Sequence, residues 1–220
     1  MQLTSFAAHA GSPRWSPDGL RIAFDGVSAG NRDIYVIAAQ GGSPRRMTTE
    51  PSEESRPSFS NDGRWIYFMS DRTGTRQIWK MPSQGGTAVQ VTRQGGLEPI
   101  ESPDGKLLYY VHDRNALGLR SVPVDGGEEL TVLESARLSY WNISPTGIYF
   151  ADFSPARGAT TLPLKFYSFQ THNVTEVVKL EGRRLGGGGP ALSVSRDDRW
   201  ALFTRYNPRN SDLFLIENLR

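Results

Sequence analysis

Apolar residues in this chain fall in short runs, each set just behind a small polar turn. The runs are Ile22-Ala23-Phe24, Trp65-Ile66-Tyr67-Phe68, Leu107-Leu108-Tyr109-Tyr110, Ile148-Tyr149-Phe150 and Trp200-Ala201-Leu202-Phe203. The turns before them read Ser-Pro-Asp-Gly at 16–19 and 102–105, Ser-Asn-Asp-Gly at 60–63, Ser-Pro-Thr-Gly at 144–147 and Ser-Arg-Asp-Asp at 195–198. Successive turn serines are 44, 42, 42 and 51 residues apart. A period of this size means one supersecondary unit per repeat.

Each unit has the same grammar. A short segment such as Pro13-Arg14-Trp15 leads into the turn, and the apolar run and a polar loop follow it. A third run comes next, as in Asp33-Ile34-Tyr35-Val36-Ile37 and Gln77-Ile78-Trp79-Lys80-Met81, with counterparts at 119–122, 164–167 and 212–216. Gly-Gly pairs at 41–42, 85–86 and 126–127 then precede a fourth short run at 46–48, 90–92 and 130–132. Short runs of aromatic and β-branched residues between Gly, Pro, Asn and Asp are the signature of strands and hairpins. Asp-Gly and Gly-Gly supply the positive φ that tight turns need. No stretch of 12 or more residues sustains a helical apolar period. The fold class is therefore all-β, and four short antiparallel strands per repeat predict a β-propeller blade. A blade buries its faces only against other blades. The fragment Gln2-Leu3-Thr4 matches the fourth-strand pieces Met47-Thr48 and Val91-Thr92. The expectation is one domain over 1–220, five blades closed by the N-terminal strand. The alternative is a fragment of a six- or seven-bladed propeller.

Composition narrows the function classes. The chain has 220 residues with 23 Gly and 14 Pro, turn-rich but not of low complexity. Its 25 basic residues barely exceed its 23 acidic ones, a net charge of +2, and they are dispersed. That distribution does not suit nucleic acid. No run of about 18 apolar residues is present, so no membrane insertion is expected. The absence of cysteine removes disulfides, thiolate metal sites and cysteine nucleophiles. The first ten residues lack the basic and apolar regions of a secretory leader. This gives a cytoplasmic chain as it stands, or a periplasmic one where a leader or preceding domain has been removed.

The segment Pro13-Arg14-Trp15-Ser16-Pro17-Asp18-Gly19, with Arg21-Ile22-Ala23-Phe24, Asp33-Ile34-Tyr35-Val36 and Gly41-Gly42 behind it, resembles the WD-repeat-like propeller repeat of the bacterial TolB family. Ser70-Asp71-Arg72-Thr73-Gly74 and His112-Asp113-Arg114-Asn115 resemble that family's Ser-Asp-Arg-x-Gly loop. The resemblance is strongest over 11–127. Repeats four and five depart from it, with no Gly-Gly turn and with Ser-Arg-Asp-Asp in the last. The resemblance implies a propeller that binds protein partners and does no chemistry. Related repeats also flank peptidase domains and form sensor domains of bacterial regulators.

The candidate chemistry agrees with a non-enzyme. No Gly-x-Ser-x-Gly elbow, P-loop or EF-hand pattern occurs, and His9, His112 and His172 fall in separate loops or turns. No close His pair suggests a metal, and no cofactor is expected. Gly186-Gly187-Gly188-Gly189 reads as a connection, without the Lys-Ser/Thr of a phosphate cradle. Glu101 breaks a pattern. The position before the turn serine reads Trp15, Phe59, Glu101, Ile143 and Val194, which predicts a buried inter-blade site with one carboxylate in it. Glu101 is thus a structural partner or a ligand or ion site.

Recognition is expected on the variable loops at 25–32, 70–76, 112–117, 152–161 and 205–211. Alternation along the innermost strands directs Arg14, Arg56, Glu98, Tyr140 and Asn142 toward a central channel, with Glu98 and Asn142 as channel-lining residues. The residues expected to bind a protein or peptide are Arg14, Arg56, Arg72, Arg114, Tyr140, Trp141 and Tyr206, and the Arg-rich face suits an acidic segment or a chain terminus. The leading expectation is a monomeric protein-binding or peptide-binding scaffold. The alternatives are a propeller accompanying an enzyme (a peptidase gate), a channel-centred hydrolase or lyase, and a ligand-sensing domain of a regulator.

Overall fold

The computed structural model describes residues 2–5, 9–154, 161–181, 191–207 and 210–219, and among these the side chains of all but 28, 29, 181, 205–207 and 210–212. The described residues contain strands and turns and no helix. Five antiparallel sheets follow one another along the chain, the five predicted blades. Blade 1 is β1 (Ala10–Trp15), β2 (Arg21–Ala29), β3 (Asn31–Ala38) and β4 (Arg45–Arg46). Blade 2 is β5 (Glu54–Phe59), β6 (Trp65–Ser70), β7 (Gln77–Pro82) and β8 (Val89–Gln90). Blade 3 is β9 (Leu97–Glu101), β10 (Leu107–Val111), β11 (Leu119–Pro123) and β12 (Leu130–Leu133). Blade 4 is β13 (Trp141–Ser144), β14 (Gly147–Ala151), β15 (Thr161–Ser168) and β16 (Val174–Glu181). Blade 5 is β17 (Leu192–Val194), β18 (Trp200–Asn207) and β19 (Asn210–Glu217). Every strand pairs with its sequence neighbour within a blade.

The recurring turn is closed by its own side chains. In blade 2 the Ser60 hydroxyl donates to Asp62 Oδ1 at 2.7 Å, and the Trp65 N–H donates back to Ser60 Oγ at 2.9 Å. The Arg64 N–H caps the same Asp62 oxygen at 2.9 Å. These bonds, the Ser60 hydroxyl first, hold the Asp62 carboxyl down at about 2. The fourth residue needs a left-handed backbone, which Gly63 adopts at φ 70°. In blade 5 Asp198 takes that position at φ 58°, and Thr146 Oγ1 donates to its Oδ2 at 2.5 Å. The residue type that broke the motif is thus held by blade 4.

Two compact units divide the chain, Met1–Arg114 with Arg120–Val132 and Asn115–Leu119 with Leu133–Arg220. In the first, each core layer joins the back of one blade to the front of the next. Ala23, Ile34 and Val36 of blade 1 meet Phe59, Ile66, Phe68 and Met81 of blade 2. Tyr67 and Ile78 of blade 2 meet Leu108, Tyr110 and Val122 of blade 3. Burying each such side chain contributes about 1.5–3 kcal/mol. In the second unit, Tyr149, Leu162, Leu164 and Leu180 of blade 4 meet Leu192, Ala201 and Phe203 of blade 5.

The N-terminal fragment follows the same rule. Met47, just after β4, packs on the layer against blade 2, and Val91, just after β8, on the layer against blade 3. Leu3 packs against Ile22, Phe24, Tyr35 and Ile37 on the front of blade 1. It takes the place of a fourth-strand residue ahead of blade 1, as its sequence match predicts. Among the described residues the segment 2–5 forms no strand, and blade 5 has three strands.

Two expected loops are strand instead. Residues 25–32 extend the β2–β3 hairpin to a tight turn at Gly30, φ 104°. The 205–211 segment likewise pairs out to Asn207 opposite Asn210. Residues 155–160 of the fourth variable loop, Arg183-Arg184 and the four-glycine run lie outside the described residues.

Candidate binding face

The inner strands carry a distortion that no residue type announces. β1, β5 and β9 each slip register against the second strand, between Gly11 and Arg14, between Ser55 and Ser58, and opposite Tyr109–Val111. The residue four places before the turn serine lies in the left-handed region each time: Ser12 at φ 51°, Arg56 at 55° and Glu98 at 57°. A β-bulge of this kind re-aims the side chain at the slip and costs about 1–2 kcal/mol of backbone strain in a non-glycine residue. The left-handed residue of each bulge lies in the half of its inner strand away from the Ser-Asp turn.

In the first unit they gather charge. Arg56 Nη1 donates to Glu98 Oε1 at 3.2 Å, and the Glu98 side chain is 4% exposed. Arg14, half-buried, lies within electrostatic reach of both. Its guanidinium sits below its ordinary pKa, chiefly through burial. Glu98 raises it and Arg56 lowers it further. The Arg56 N–H donates to Asp25 Oδ1 at 3.2 Å. The buried Asp25 Oδ2 faces Arg32 Nε and His9 Nε2, each at 3.5 Å. A His–Asp couple is two-thirds of a hydrolytic triad. Among the described residues no hydroxyl hydrogen-bonds to His9.

The other expected site residues divide between those that face solvent and those spent on the fold. Arg114 is exposed. Arg72 is not a free loop side chain: it is 17% exposed, stacks over Trp79 at 4.6 Å, and reaches Ser70 Oγ at 2.9 Å and Glu54 at 3.5 Å. The Glu54 it meets is fully buried. Burial pushes that carboxyl above its ordinary range, while hydrogen bonds from Ser52 and Ser70 and the charge of Arg72 oppose the rise. In the second unit Trp141 is 2% exposed, a core residue paired opposite Phe150. Tyr140 is half-buried and packs at a tilt against Phe153, ring centroids 5.1 Å apart. Asn142, half-buried, pairs opposite Tyr149. The Tyr206 side chain lies outside the described residues.

Glu101 has structural work. It accepts from the Asn61 N–H, and the Tyr67 hydroxyl donates to it at 3.4 Å, while Asn61 Nδ2 donates to the Ser102 carbonyl at 2.6 Å. Burial raises its pKa and the Asn61 amide opposes the rise. Phe59 at the same repeat position is covered from the blade before it. Arg21 of blade 1 lies over the Phe59 ring at 5.3 Å. Trp15, expected to be buried there, is 62% exposed.

A cleft of about 570 Å³ opens between the 71–76 loop and blade 3. Asp71, Arg76, Gln77, Arg93, His112 and Asp113 line it, a set of mixed charge. Gln77 is held in place by Thr92 and the Gly95 N–H, each at 3.0 Å. Sequence reasoning missed the buried acids Asp25, Asp33 and Glu54. For Asp25 and Asp33 the signal was a carboxylate abutting an apolar run, and Glu54 stands beside no such run.

Comparisons with known proteins agree with this architecture. A family model for the TolB β-propeller domain matches residues 1–183. Among solved structures, TolB from Acinetobacter baumannii superposes with a TM-score of 0.76 at 18% identity, covering 95% of this chain and 52% of that one. The chain thus spans about half the length of that TolB. A putative TolB from Agrobacterium tumefaciens gives 0.67 at 26% identity, over 81% of this chain and 69% of that one. A puromycin-hydrolyzing peptidase from Mycobacterium tuberculosis gives 0.60 at 16% identity, over 94% and 36%. Compared by sequence with curated proteins, the chain finds no match.

Proposed function

Because the chain belongs to the TolB β-propeller family, we propose that it is a non-catalytic scaffold that binds a protein or peptide through its variable-loop face. The observation that carries this reading is the contrast between the two ends of the inner strands. At the turn end, serine and aspartate spend their polar groups on each other. At the loop end, Arg14 and Arg56 gather around one carboxylate, with Arg114 exposed on a loop of the same unit. Guanidinium groups on a rigid scaffold suit the carboxylates of an acidic segment. The reading of a propeller beside a peptidase rests on fold likeness alone, at 16% identity.

The test is affinity capture from bacterial extract on the whole chain and on an Arg14→Ala, Arg114→Ala variant shown to be folded. A protein held by the wild type and lost on the variant supports the reading and its face. A protein held equally by both places recognition elsewhere. Turnover of a substrate by the purified chain would overturn the non-catalytic role.

A further inference from the structure

Three charges meet at the bulges of β1, β5 and β9, and they do not cancel. Arg56 and Glu98 form a buried pair at 3.2 Å. Arg14 sits beside that pair with no ion-pair or hydrogen-bond partner among the described residues. The neighbouring Asp25 does not make up the difference, since it faces Arg32 at 3.5 Å and accepts the Arg56 backbone N–H. Arg14, Arg56, Glu98, Asp25 and Arg32 together leave one positive charge over. A guanidinium stays ionised at neutral pH even when burial opposes it, so Arg14 keeps its charge beside the pair, where burial strips part of its hydration. We propose that Arg14 and Arg56, with Glu98 between them in charge, form a binding site for a single carboxylate group of a peptide.

The chemistry selects the class. One excess charge is matched by a monovalent anion, and a planar carboxylate takes two parallel donors from a guanidinium fork. Glu98 is then an internal competitor: it occupies Arg56 when the site is empty and limits how tightly an outside carboxylate binds. The left-handed backbone at Arg56 and Glu98 fixes both in the bulge, so the site is preorganised. The proposal deepens the binding-scaffold reading and rests on it for the peptide as the source of the carboxylate.

The test is an NMR titration of the whole chain labelled at arginine, following the side-chain Nε–Hε signals of Arg14 and Arg56. The probes are N-acetylglycylglycine, its C-terminal amide, and an N-acetylglutamate diamide with only its side-chain carboxylate free. The expected result is saturable shifts of both signals with at least one acid and binding at least about tenfold weaker for the amide. Whichever acid binds tighter identifies the source as chain terminus or acidic side chain. Arg14→Gln should weaken the tighter acid about tenfold. Glu98→Gln, which removes the competitor and keeps its shape, should tighten it about threefold or more. Absence of shifts, equal shifts with the amide, or weaker binding by folded Glu98→Gln overturns the site. These probes need no partner protein, so the site can fail while captured partners stand, and the reverse.

Discussion

Blade 2 and blade 5 are built from the same repeat and meet different fates at one position. Register makes Tyr67, Tyr149 and Leu202 equivalent, since each pairs with the residue two before its turn serine. Tyr67 is 1% exposed beneath blade 3, and Tyr149 is buried beneath blade 5. Leu202 on the same face of blade 5 stands exposed, with Leu213 at 68% and Leu215 at 57% beside it. The opposite face of blade 5, with Ala201 and Phe203, is buried as in the other blades. Burial in this fold is therefore a property of the pair of blades and not of the blade. An apolar residue at a repeat position states a capacity to be covered, and the neighbour decides whether it is.

That contrast can be broken most sharply at Phe68. It is fully buried in the layer between blades 1 and 2, so Phe68→Ala should cost about 3–5 kcal/mol, read as a lowered urea midpoint at unchanged slope. Arg72→Ala comes next at about 2–3 kcal/mol. It strips the buried Glu54 of its ion partner and removes the stack on Trp79. Because burial raises the Glu54 pKa, the folded form holds its proton more tightly, and stability falls as pH rises from 4.5 through the raised value. Removing Arg72 should steepen that fall, and Glu54→Gln should flatten it.

The turn gives a smaller effect of opposite sign in pH. Asp62 has its carboxyl lowered from 3.8 to about 2. Its contribution is present above pH 3.8 and lost as pH falls through about 2. Solvent screening limits it, so Asp62→Asn should cost about 0.5 kcal/mol at pH 7 and close to nothing at pH 2 in paired thermal melts. Leu213→Ser should be smallest, within about 0.5 kcal/mol either way, because nothing described covers that side chain. A loss of 2 kcal/mol or more there would show that the face is covered in solution.

The turns and the apolar runs were legible because both are local: hydrogen bonds within five residues and an alternation of two. The bulges were not. Ser12, Arg56 and Glu98 share no residue type, and no glycine marks their left-handed backbone. The site residues divide in the same way. Arg14, Arg56 and Glu98 could be grouped by alternation, since each stands an even number of residues before its turn serine, although Arg14 lies two places nearer the turn than the other two. Arg72 and Trp141 could not be placed, because their burial depends on Glu54 and Trp79 in one case and on the core around β14 in the other. Trp15 failed for the reason Leu202 teaches: its cover comes from outside its own repeat.

The latch from blade 3 to the turn of blade 2, made by Glu101, Asn61 and the Ser102 carbonyl, has a kinetic side. It ties the turn of blade 2 to the opening of blade 3, and blade 2 also shares a core layer with blade 1, so local melting of blade 2 must release two seams at once. Within the first unit, amide exchange should then be slowest in the centre of β6, the strand flanked by both seams.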